Sequence, residues 1–246
     1  MLSRMRCNRS KIFQLLFLCL LMFKSASAQG LDSKLAQKAD FIPTASSTKD
    51  QLIQLAQHYR IPMGVEWVVP SDEIRLSAPL TAQPTVMEMV NSILEQVPNY
   101  KVEIKDGVAN IASRSISEDP YNFLNLRIPE FKVEKENVYG AEFRLRLGID
   151  MTLHPERYQY GWNGGYGHGP DPDSKFELKN ITFSGENLTV RDILNRIVAM
   201  NGNALWVVEL APAHMMKGEP FFAQFASEDN DQTDFFWQII PLSRGK

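Results

Sequence analysis

The residues best suited to chemistry lie in one stretch, His154 to Asp173, where Tyr158, Tyr160, Trp162 and Tyr166 are interleaved with glycines around His168. Aromatic rings at this density bring large contact area at low entropic cost, which suits the face of a sugar or an apolar side chain of a partner. A mobile insertion whose rings cover the domain edge is the plainer reading of the same residues. A metal reading would use His154, His168, Asp171 and Asp173, a mixed imidazole and carboxylate set that suits zinc or manganese. Their spacing matches no ordered ligand motif, and the glycines flanking His168 leave its ring unfixed.

Outside this stretch the sequence carries no catalytic signature. The chain has no Gly-x-Ser-x-Gly elbow, no phosphate-binding glycine loop and no Ser-x-x-Lys pair in a convincing setting. Paired acids such as Asp171 with Asp173, or Asp229 with Asp231, read as solvated loop charges, because an acid and base couple needs rigid support across a cleft. His58 and His214 read as surface residues. A non-enzymatic protein without a cofactor is the expectation.

Of the 26 basic residues, five fall in the first 28 positions, Arg4, Arg6, Arg9, Lys11 and Lys24, with no acid among them. The remainder is therefore more acidic than the whole-chain charge of −3 suggests, and a surface of that sign does not gain counterion-release energy on nucleic acid. The basic start, the apolar run Ile12 to Phe23 and Ala26-Ser27-Ala28 form a three-part secretory signal over residues 1–28. The run is too short for a permanent span, so no integral membrane segment is expected after its removal. Cys7 and Cys19 lie within it, which leaves the exported chain without thiols or disulfides.

The elements that must position any site begin after a leader, 29–47, that carries no period and is expected to be flexible. Thr48 and Gln51 have capping-box spacing before a helix stripe of Leu52, Leu55, Ala56 and Tyr59. Gly64 to Val69 and Ile74 to Leu76 read as strands, and Thr85 to Glu88 as a capping box opening a helix striped by Val86, Met89, Val90, Ile93 and Leu94. Tyr100 to Lys105, Asp106-Gly107 and Val108 to Ala112 form a hairpin signature. Residues 114–122 read as a polar linker.

Beyond the linker, residues 124 to 133 read as a strand, on an edge if Pro129 lies within it. Asn137 to Leu147 reads as a helix, with a strand as the alternative because Phe143, Leu145 and Leu147 also alternate. Thr189 to Val198 repeats Thr85 to Leu94 without a gap, Phe176 to Leu178 precedes it as a strand, and Gly202 stops the helix. Ala204 to Leu210, Phe221 to Phe225 and Phe235 to Pro241 read as strands. Trp67, Trp206 and Trp237 are expected in the packing, and Arg191 and Arg196 on the outside. The reading is an α+β protein of two small related units, 48–113 and 123–246, each with helices packed on short mixed β-sheets, the second carrying the insertion 154–175 and the C-terminal strands.

Leu52-x-x-Leu55-Ala56, Ile74-x-Leu76, Thr85-Val86-x-Glu88-x-Val90-x-x-Ile93-Leu94 and Tyr100-x-Val102-x-Ile104-x-Asp106-Gly107-Val108-x-Asn110-Ile111 resemble the short N-terminal domain shared by secretins and TonB-dependent receptors. The resemblance takes in 48–113 well and 124–210 loosely. It implies a periplasmic docking or signalling module without catalytic residues, in contact with an envelope protein. It departs from that family in that the sequence shows nothing like a barrel or pore domain. The expected mechanism is strand addition at an edge near Ile74 or Val108. The alternative is a glycan- or peptidoglycan-binding protein using Tyr158, Tyr160, Trp162, Tyr166 and His168, and the expected location is the periplasm, in association with the outer membrane if the partner lies there.

Overall fold

A computed structural model describes residues 30–68, 83–119, 122–153, 155, 179–202, 204–210 and 235–241. Its elements in chain order are α1 (30–36), α2 (Thr48–Tyr59), β1 (Met63–Val68), α3 (Val86–Glu95), β2 (Tyr100–Lys105), β3 (Val108–Ser113), β4 (Arg127–Glu136), α4 (Val138–Leu153), β5 (Ile181–Thr189), α5 (Val190–Asn201), β6 (Ala204–Leu210) and β7 (Phe235–Pro241). A 3-10 turn, Phe123–Asn125, precedes β4. No described helix is long and apolar enough to cross a membrane. The α+β class is the one expected, and of the span 137–147 all but Asn137 is helical, so the strict alternation of Phe143, Leu145 and Leu147 loses to the helix stripe of Val138, Ala141, Leu145 and Ile149.

The strands of both halves belong to one sheet. Its order is β2-β3-β1-β6-β7, with β1 parallel to β3 and to β6, and with antiparallel hairpin partners β2 and β7 at the two ends. Both faces are covered. Met63, Val65, Trp67, Ala109, Ile111, Leu205 and Val207 face α1, α2 and α3, while Val108, Ala204, Trp206 and Val208 face α5 and α4. Double burial explains why β1 and β3 read as near-continuous apolar runs and not as alternating ones. On the second side α5 lies between this sheet and a two-stranded sheet of β4 and β5.

Local chemistry sets each helix. Thr85 and Thr189 each accept a bond from the third helical N–H while Glu88 and Asp192 reach back, so both capping boxes are formed. A cap of this kind stabilises a helix by about 1 kcal/mol. The parallel goes further: the N–H of Val86 donates to the carbonyl of Gln37, and that of Val190 to the carbonyl of Leu126. It stops at the sheet. In the first half the second hairpin strand, β3, lies against β1, whereas in the second half the first hairpin strand, β6, does.

Three expectations change. α2 is capped by Ser47, not Thr48, because the Ser47 hydroxyl accepts from the N–H of Asp50 and leaves Gln51 free to reach the carbonyl of Ala45. The expected leader, 29–47, contains α1, whose Leu31 and Leu35 are buried in the first core and whose Lys34 donates to the carbonyl of Arg60 at the end of α2. The expected linker, 114–122, packs Ile116 on the second core and buries Asn122. The readings at Ile74 to Leu76, Phe176 to Leu178 and Phe221 to Phe225 lie outside the described residues, and so does the side chain of Trp237.

Trp206 spans the seam between β1 and β6. Its indole N–H donates to Asn195 Oδ1 at 2.8 Å, and a Cβ placed on Gly64 would meet its ring at 2.2 Å. The pinned ring has nowhere to move, so Gly64→Ala is expected to destabilise the fold by about 1–3 kcal/mol. Thermal unfolding followed by circular dichroism should show a fall of about 2–4 °C per kcal/mol.

Candidate functional site

The aromatic and histidine candidates, Tyr158, Tyr160, Trp162, Tyr166 and His168, lie outside the described residues, as do His154, Asp171, Asp173 and His214. Among the described residues no three or more His, Cys, Asp or Glu side chains gather around a common point. A cleft of about 520 Å³ between β4 and α4 is lined by Lys132, Glu134, Lys135, Glu136 and Arg144. Four of its five charged side chains pair, Arg144 with Glu136 at 3.3 Å and Lys132 with Glu134 at 3.5 Å. Beside it, Ile128, Pro129 and Met151 help to line a notch of about 360 Å³. Neither presents a nucleophile with an adjacent base.

His58 is held at the surface by stacking on Phe41, with ring centroids 4.3 Å apart, and by Asp40 at 3.4 Å. The Tyr59 hydroxyl donates to the same carboxylate at 3.0 Å and accepts from the N–H groups of Asp40 and Phe41. This set ties the chain after α1 to α2.

Among the described residues the sheet ends on β2 and on β7, and the outer edge of β2 is the one whose side chains are all described. β3, with Val108, has a partner on both sides, so the edge expected at Val108 is interior; β2 ends the sheet instead. Asp106 and Gly107, at φ 53° and 79°, form the tight two-residue turn that joins β2 to β3. In such a hairpin the pair flanking the turn, Lys105 and Val108, exchanges hydrogen bonds, and so does every second pair before it. The N–H and C=O groups of Val102 and Ile104 consequently point away from β3. Ile104 is 42% exposed.

Each end of this edge is anchored. The Tyr100 ring stacks on Trp67 at 4.4 Å, and its hydroxyl accepts from the N–H of Val68 at 2.8 Å. Burial pushes the Tyr100 phenol up to about 12. At the turn end, Lys105 Nζ reaches Asp192 Oδ1 at 2.9 Å, which connects β2 to the first turn of α5. Burial alone would raise the Asp192 carboxyl, but Lys105 and the hydroxyl and backbone N–H of Thr189 outweigh it and hold it below its usual value.

Behind the edge, Glu66 is fully buried in the middle of β1. Arg191 Nη2 reaches its Oε2 at 2.8 Å and Asn122 Nδ2 its Oε1 at 2.7 Å. Arg191, expected outside, is turned inward by this carboxylate. The signal in the sequence was the single acid in the otherwise apolar strand Met63–Val68.

Two measurements follow from these anchors. Arg191→Met keeps apolar volume but leaves the Glu66 carboxylate without its counterion, and urea unfolding should show a loss of about 3–5 kcal/mol. A carboxylate held low stabilises the fold above the usual carboxylate range and ceases to do so as pH falls through its depressed value. Asp192→Asn should therefore be less stable than the parent at neutral pH, with the gap closing as the solution is acidified through that value.

Compared with protein families, with curated proteins and with solved structures, the chain finds no match.

Proposed function

We propose that the protein is a non-enzymatic contact module of the bacterial envelope, exported to the periplasm, which binds another protein by adding that partner's extended strand to β2. The observation that carries this reading is the β2 edge, where Val102 and Ile104 direct backbone donors and acceptors outward on a strand with no further neighbour among the described residues. Strand addition draws its affinity from such main-chain groups and its selectivity from alternate side chains. The secretory form of residues 1–28 and the resemblance of Thr48 to Ala112 to the docking domain of secretins and TonB-dependent receptors support the location and the kind of work.

The alternation of Lys101, Glu103 and Lys105 with Val102 and Ile104 adds a chemical filter. Charged edge residues discourage indiscriminate sheet growth, so a partner strand must present charges that match.

Ile104→Pro tests the reading because it removes an outward N–H and no bond to β3. Capture of the partner from cross-linked envelope fractions by the tagged chain should fall about tenfold, the effect of losing roughly 1.4 kcal/mol. Ile104→Thr, which keeps the N–H, should retain capture, as should deletion of 158–171, the segment on which the glycan alternative depends. Unchanged capture by Ile104→Pro would refute strand addition at β2.

A further inference from the structure

We propose that the partner of β2 is the β2 of a second copy of this chain, paired antiparallel about a two-fold axis at Val102, so that two five-stranded sheets become one. The inference rests on the reading of β2 as the contact edge and names its occupant.

Hydrogen-bond parity restricts the registers. Only Tyr100, Val102 and Ile104 direct backbone groups outward, so each must lie opposite another of the three. With the axis at Val102, the two Val102 residues exchange both bonds. Ile104 donates to the carbonyl of Tyr100 in the other copy, whose own N–H is already held by the carbonyl of Val97.

Charge then selects among the permitted registers. The Val102 axis sets Lys101 opposite the other copy's Glu103, twice, on the α5 side of the sheet, and Tyr100 opposite Ile104 on the α3 side. Shifting one copy by two residues sets Glu103 opposite Glu103 and Lys101 opposite Lys105 in one direction, and Lys101 opposite Lys101 in the other, so like charges lie directly across from each other either way. An axis at Ile104 would pair Glu103 with Lys105, but Lys105 is already committed to Asp192, and Val102 would face the turn residue Asp106. Lys101 and Glu103 are only 3.6 Å apart within one strand, with side chains 34% and 60% exposed, so both can turn to a second chain. The apolar part of the contact is the exposed Ile104 over Tyr100.

A contact of one strand from each copy is below the size of standard stable interfaces, so the dimer is concentration-dependent. The test is sedimentation equilibrium of the exported chain, residues 29–246, across a wide concentration range. The apparent mass should rise from that of one such chain towards twice that value. Lys101→Glu and Glu103→Lys should each remain monomeric, whereas their equimolar mixture, and the double variant, should recover association, because each arrangement again sets Glu opposite Lys. Recovery in the mixture also shows that neither single variant is misfolded. Self-pairing is overturned by a monomeric parent at every concentration, by single variants that associate like the parent, or by a mixture that does not recover. If the parent is monomeric while Ile104→Pro still abolishes envelope capture, self-pairing fails and the contact edge stands; if Ile104→Pro changes neither association nor capture, both fail.

Discussion

A carboxylate with no access to water must be matched where it lies, and Glu66, fully buried in the central strand, imposes that requirement on the whole molecule. Its two oxygens are satisfied from two directions, by Arg191 on α5 and by Asn122 just before the 3-10 turn. Asn122 in turn donates to the carbonyl of Ile116 and accepts from the N–H of Leu124, so the segment after β3 is drawn across the second core. α5, which carries the capping box at Thr189 and the bridge from Asp192 to Lys105, turns its Arg191 toward β1. Elements from both halves of the chain therefore meet at one side chain.

The sheet carries the same integration. β1 is parallel to a strand of its own half on one side and to β6 on the other, and the two cores lie on opposite faces of that sheet. Lys49 of α2 pairs with Glu209 of β6, which adds a surface connection between the halves on the first face. The repeated Thr-capped helix and following hairpin are local habits of the sequence embedded in a single architecture. The hairpins enter it in opposite order, β3 innermost in one and β6 in the other, and the outer edge of the first hairpin therefore falls on β2 and not on Val108.

Much of the local structure was legible because short-range chemistry determines it. The stripe from Val86 to Leu94, the Asp-Gly turn and Gly202 in the left-handed region each declare themselves by residue type at fixed spacing. What was not legible depends on contacts far apart in sequence. Arg191 looks outward on any helical wheel until Glu66 is placed beside it, and Asn122 reads as linker polarity until the same carboxylate claims it. Leu31 and Leu35 form too short a stripe to announce α1, which is stabilised by packing on the first core and by its lysine at the end of α2. The edge at β2 could not be read at all, since which strand ends a sheet is a property of the order of all five. Of the binding candidates, the aromatic segment was singled out by composition, whereas the β2 edge is defined by backbone direction, to which side-chain spacing is blind.

The parallel pairing of Met63 with Leu205 has a consequence for the order of assembly. The strands made first can join β1 to β3 and β3 to β2, and α1, α2 and α3 can cover one face of that three-stranded piece. Its second face, with Gly64, Glu66 and Val108, has no cover until α5 arrives, and the far side of β1 has no neighbour until β6 follows. A chain emerging from its amino end therefore passes through a stage in which β1 is an unpaired border with a lone acid, Glu66, within it. Closing that border is a long-range step, and such steps are slow and expose the chain to misassociation. The strand that becomes the centre of the finished sheet is, for that interval, its most vulnerable rim.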